Sequence, residues 1–287
     1  MPAAAADLGY RRRKLVDRLA RGFCIGATAL AVLPLFLVLY YVAEKGLAGV
    51  SWDFFTKMPM PVGETGGGMK HALMGTLIVV AVASAIGIPV GILAGIYLGE
   101  FGQGGKFGQV VRFSADVMAG IPSITVGLFV YAVVVLTMGS FSALAGGIAL
   151  AILMIPTVMR TTEEMLKLVP AHLREAALAL GAPKRRAIWR VAVRTAAPGI
   201  ATGVVLAIAR ISGETAPLLF TALGKDYFST DLGKPIATLP VQIYNYAISP
   251  YDDWHQQAWT AALVLVFMVL VFNLAARALV ASRGAKR

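Results

Sequence analysis

The chain has 287 residues, of which 58% are hydrophobic and 14% charged, with a formal net charge of +11. Soluble domains carry about 25% charged and 45–50% apolar residues, so this composition excludes a soluble globular protein and calls for lipid around the chain. One cysteine, Cys24, excludes a disulfide framework and a cysteine metal cluster.

A helix needs about 20 apolar residues to cross roughly 30 Å of hydrocarbon. The first such stretch is 23–42, preceded by Arg11, Arg12, Arg13 and Lys14 and followed by Glu44 and Lys45. It is too long for a signal-peptide core and reads as a retained span. The second is 72–98. The uncharged stretch 117–159 is long enough for a third and a fourth, with Gly139-Ser140 as the turn between them. The fifth runs from about 196 to 220 with Arg210 and Glu214 inside it, and the sixth is 258–276. The expected fold is therefore an all-α membrane protein of six spans.

Six spans place both termini on one side of the membrane, and basic residues mark the cytoplasmic side. The segments on the terminal side carry 20 Lys and Arg against 5 on the other, while acidic residues divide 7 and 7. Both termini are expected in the cytoplasm. Topology accounts for the positive charge, so nucleic-acid binding loses its support.

Gly87, Gly91, Gly95 and Gly99 recur every four residues in the second span and form one helix face open to close backbone approach. Packing within the chain is the simpler reading, and contact with a partner subunit the alternative. Shorter pairs occur at Gly22/Gly26 and Gly199/Gly203.

The segment 160–194 is punctuated as two helices. Pro170 suits a first helical turn, Gly181 a left-handed cap, and Leu173, Ala177 and Leu180 make an apolar stripe. A second helix starts at Pro183 and carries Lys184, Arg185, Arg186 and Arg190. Glu175-Ala176-Ala177 followed by Gly181 and later Val191 resembles the EAA signature of bacterial ABC-importer permeases, although Val193 and Arg194 stand where leucine and proline usually follow. The runs 120–124, 127–131, 175–184, 209–222 and 235–240 resemble the phosphate-specific PstA branch of that family, in order over roughly 70–280.

The resemblance implies a MetI-like (type I ABC-importer) architecture. The spans and the extent of the resemblance together divide the chain into a basic N-terminus 1–22, a first span and loop 23–69, a permease core 70–280 and a tail 281–287. It also implies that Glu175, Ala176, Ala177 and Gly181 form a coupling helix docked on a PstB-like ATPase dimer. The other implied partners are a second, PstC-like permease and a PstS-like phosphate-binding protein on the outer side. ATP and magnesium belong on the ATPase subunits, and no cofactor or metal is expected on this chain. No Gly-x-x-x-x-Gly-Lys-Ser/Thr loop occurs, no nucleophile motif appears, and His71, His172 and His255 lack ligand spacing.

Charges inside a span cost about 2.5–3.5 kcal/mol each on insertion scales and face protein or water. Arg210 and Glu214, four residues apart, are expected on one helical face as a structural ion pair or as part of a substrate pathway. The resemblance gives Arg210 a role in phosphate passage, and its guanidinium fork matches two oxygens of a dianion. Glu214 would weaken that grip, Thr221 shares their face approximately, and Pro217 would free the Gly213 carbonyl and kink the helix. The outer segment 225–257, with Asp226, Asp231, Asp252, Asp253 and six aromatics, suits the membrane interface, its uncharged stretch 235–250 being readable as a helix along the surface. Two rivals stay open: an ABC permease for another oxyanion such as sulfate or molybdate, and an ion-coupled secondary transporter.

Overall fold

A computed structural model describes residues 2–61, 64, 66–102, 104–225 and 227–284. Asp226 and tail residues 285–287 lie outside them. In chain order the helices are α1 (Pro2–Leu47), α2 (Trp52–Thr56), α3 (Lys70–Glu100), α4 (Lys106–Gly120), α5 (Ser123–Met138), α6 (Ala143–Lys167), α7 (Ala171–Ala179), α8 (Lys184–Ser212), α9 (Ala216–Leu219), α10 (Leu239–Ala247) and α11 (Asp252–Gly284). No strand occurs among the described residues. Five helices are long and apolar enough to cross a membrane, and the number is six when the bent pair α4–α5 is taken as one broken span.

The parallel pair α3 and α6 forms the centre. Gly87, Gly91, Gly95 and Gly99 face Met154, Val158, Thr162 and Leu166 in turn, so both helices advance by four residues per contact. A Cβ built at Gly91 would sit 2.7 Å from the Val158 Cβ, and one at Gly95 2.5 Å from the Thr162 Cβ. Only glycine permits this backbone approach, and the glycine seam is therefore an internal contact of the chain. α8 packs antiparallel on α6, with Gly199 against Met165 and Gly203 against Thr161. Val79, Ala83, Leu150, Met154, Ala207 and Ile211 form the shared core of the three helices.

Two segments differ from the sequence expectation, and the N-terminal one extends it. The basic N-terminus and the first span are one helix, α1, which packs on the outer half of α11 through Tyr41 and Trp259, ring centroids 5.1 Å apart. The third span does not begin at 117. α4 runs through Gly120 and the chain then bends by 104° into α5. Pro122 supplies no amide hydrogen and pushes Ile121 to an extended ψ of 132°, which ends α4. Gly139 turns the chain after α5 with φ +69°, in line with the Gly139-Ser140 signal. Finally, α10 is packed into the chain through one face. Leu239, Val241, Gln242 and Tyr246 are buried, and the Thr76 hydroxyl of α3 accepts the Leu239 N–H at 2.8 Å.

Candidate functional site

The fifth span is not one helix. α8 ends at Ser212, Gly213 caps it, and Glu214 begins a connection to the short α9. Arg210 and Glu214 therefore do not share a helical face. Arg210 is exposed, Glu214 is half-buried, and no ion pair joins them among the described residues. The helix has already stopped before Pro217, which sits in the first turn of α9. Thr221 is fully buried and its hydroxyl donates to the Pro217 carbonyl at 2.8 Å, so it does not share an open face with Arg210.

What the break leaves is a guanidinium on an open ridge. Thr195, Pro198, Thr202, Leu206 and Arg210 are exposed at successive helical turns of α8. The register set by Gly203 against Thr161 carries Arg210, two turns on, to the level of Met154, which lies beside Gly87 near the middle of α3. The neighbouring α5 comes close to this region, because Gly127 abuts Pro217 of α9. Along it Ile124, Leu128 and Phe129 are also exposed.

At the opposite end of α8, the segment 160–194 is organised more tightly than its sequence suggests. α6 extends past Met159 to Lys167, and Pro170 caps α7 rather than entering its first turn. Gly181 takes φ +80° after α7, and α8 starts at Lys184, passes through a π-helical stretch at Ala187–Ala192 and continues as the fifth span. On α7, Leu173 and Ala177 are half-buried, whereas Glu175 and Ala176 are exposed. Leu180 is 88% exposed and leaves the stripe expected for it. Leu173 packs on the cluster of Leu166, Val169 and Ile188.

Two arginines that carry no signal in the sequence organise this end. Arg174 of α7 binds Glu100 through Nη2 at 2.7 Å and Nε at 3.1 Å. It also donates to the carbonyls of Val169 at 2.7 Å and Leu166 at 2.8 Å. Arg112 of α4 binds the buried Glu163 at 2.7 Å and donates to the Leu98 carbonyl at 3.1 Å. Lys167 meets the same Glu163 oxygen at 2.7 Å, and Arg160 pairs with Asp116. The last carbonyls of a helix have no internal partners, so the arginines occupy the open C-terminal ends of α3 and α6. The spacing Arg160, Glu163, Lys167 is the nearest thing to a signal, but it reads as a helix surface only once α6 is known to continue past 159.

Among the described residues no three His, Cys, Asp or Glu side chains cluster as metal ligands. His71 is buried, His172 exposed, and His255 Nε2 lies 2.7 Å from the Ser249 carbonyl.

Residues 87–282 match the family described as binding-protein-dependent transport system inner membrane component. The chain is 46% identical to the phosphate transport system permease protein PstA of Yersinia pestis, over 96% of this chain and 92% of that protein. It is also 46% identical to PstA of Xylella fastidiosa, over 94% of each. Among solved structures, the inward-facing MetNI methionine ABC transporter aligns with TM-score 0.60 at 21% identity, covering 74% of this chain and 93% of that one. The shared arrangement is the MetI-type permease fold, and the chain belongs to the binding-protein-dependent inner membrane transport family, among its PstA permeases.

Proposed function

We propose that this chain is a permease subunit of an ATP-driven importer of inorganic phosphate and that Arg210 lies on the phosphate pathway. The observation carrying this reading is a permanently charged guanidinium, exposed at mid-depth on a helix otherwise packed as a membrane span. A charge at that depth must meet protein or water. A second, similar permease facing the α5–α8 surface would supply both, leaving Arg210 at the boundary between the two subunits. The names of the relatives support phosphate as the anion. A guanidinium binds two phosphate oxygens with parallel hydrogen bonds. Glu214, just past the helix end, adds a negative charge that limits how tightly the anion is held.

In this reading the end carrying the termini is cytoplasmic, in accord with its excess of Lys and Arg. The exposed Glu175 and Ala176 face an ATPase dimer that holds ATP and magnesium, while a phosphate-binding protein docks at the other end. The chain itself catalyses no reaction.

The test is uptake of labelled phosphate into proteoliposomes holding the complete complex, with Arg210 intact or changed to glutamine. ATP-dependent uptake that resists excess sulfate and disappears in Arg210→Gln, with assembly unchanged, is the expected result. Competition by sulfate would make the substrate another oxyanion. Uptake that persists in the variant would remove Arg210 from the pathway.

A further inference from the structure

We propose that Arg174 is a positioning residue that locks the coupling helix α7 to the ends of α3 and α6, so that displacement of α7 moves these two spans as one body. The inference rests on the reading of α7 as the ATPase-facing element. Its basis is the geometry of one side chain. From α7, the Arg174 guanidinium holds Glu100 at the end of α3, the Leu166 carbonyl at the end of α6 and the Val169 carbonyl in the link that follows it. Glu100 is 7% exposed and Arg174 23%, so solvent screens the contact weakly.

The apolar contacts of α7 leave this task undone. Leu173 packs on Leu166, Val169 and Ile188, but Leu178 and Leu180 are exposed. One leucine contact resists separation yet permits rotation about the short link 168–170. A planar guanidinium with acceptors on two different helices fixes orientation as well as distance. Arg112 ties α4 to the same ends through Glu163 and the Leu98 and Gly102 carbonyls. The α3–α6 glycine seam then carries the displacement toward the level of Arg210, because helices in backbone contact do not shear independently.

The experiment uses the assembled transporter with Cys24→Ser and spin labels at Leu93→Cys on α3 and Leu180→Cys after α7. The interspin distance is read with and without nucleotide, in parallel with phosphate moved per ATP hydrolysed. With Arg174 intact the distance distribution is narrow in both states. Arg174→Gln is expected to broaden it and to lower phosphate moved per ATP about tenfold, the change in equilibrium constant for one lost charge-assisted contact, while ATPase subunits still co-purify. Arg174→Lys should fall between the two, and Glu100→Gln, a milder change, should broaden the distribution in the same sense.

An unchanged distribution and ratio in Arg174→Gln would overturn the inference. So would parallel loss of uptake and hydrolysis with loss of the ATPase subunits, which would make Arg174 a structural residue alone. If the unsubstituted complex docks its ATPase but moves no phosphate, the phosphate reading fails, and the spin-label distances still decide the role of Arg174.

Discussion

Gly95 and Gly26 have the same side chain and opposite surroundings. A Cβ at Gly95 meets the Thr162 Cβ at 2.5 Å, whereas one at Gly26 meets nothing within 4 Å. Gly95→Val is expected to force α3 from α6 and cost about 1–3 kcal/mol. Gly26→Val should stay within about 0.5 kcal/mol in the isolated subunit. Thermal unfolding in detergent distinguishes them, and equal melting of both variants would refute the seam. Glu163 presents the electrostatic counterpart, being 1% exposed between Arg112 and Lys167. Arg160 also comes within 3.8 Å of this carboxylate, so Glu163→Ala leaves three cations around its place and is expected to destabilise by about 3 kcal/mol, measured in the same way. Asp231 allows a test by pH. The Gly233 N–H, 2.9 Å from its carboxylate, and then Lys234 hold that carboxyl below its ordinary value. A depressed folded-state value stabilises the loop above the unfolded value of about 3.9, and this contribution is lost as pH falls through the folded value. The same loop accepts the first amides of α6, Ala143 N–H on Lys234 and Leu144 N–H on Leu232. Hydrogen exchange at these two amides, corrected for intrinsic rate, should quicken only below about pH 4. Equal protection above and below that pH would contradict the link.

Among the elements, those punctuated by Gly and Pro are the most legible. The turn at Gly139 and the cap at Gly181 follow from positive φ, which glycine takes without strain. Gly181→Ala should therefore cost about 1 kcal/mol and loosen the entry to α8, seen as faster proteolysis between α7 and α8. The bend at Gly120-Ile121-Pro122 is punctuated in the same way, yet an uncharged stretch of 43 residues from 117 to 159 hides it from any count based on charge. The fifth span misleads for a related reason. Apolar residues resume at 216–220, so a test of apolar length runs through the Gly213-Glu214-Thr215 stop, and the expected pairing of Arg210 with Glu214 depends on a helix that ends between them. Boundaries set by backbone hydrogen bonding are invisible to a test of apolar length.

Among the described residues the buried ion pairs gather at one end, while Arg210 stands exposed near the middle without an ion pair. α4, α6 and α7 are joined to α3 by arginines at the basic end, whereas α5 and α8 present an open apolar surface around Arg210. In the proposed reading a second permease covers this surface, because lipid would leave the guanidinium unsolvated. Leu206, 61% exposed and one helical turn before Arg210, marks that surface, while Val204 beside it packs into the core. In a Cys24→Ser background, Leu206→Cys is expected to react with a lipid-soluble maleimide more slowly in the assembled complex than in the isolated subunit. Equal labelling rates in the two preparations would exclude the interface.

Composition and the order of apolar stretches are enough for the membrane class, the approximate spans, the charge bias and the glycine face, because each depends on residue type and spacing alone. The resemblance in 120–240 extends that to the family. The glycine partners on α6, the stop of α8 before Glu214, the bend into α5 and the arginine contacts at the ends of α3 and α6 come only with the tertiary structure. Arg174 and Glu100 are 74 positions apart, and only packing of α3 beside α6 brings them within 2.7 Å. Local sequence specifies a helix and its polarity, but the partner of a side chain is set by which helices meet, and that is a property of the packed chain.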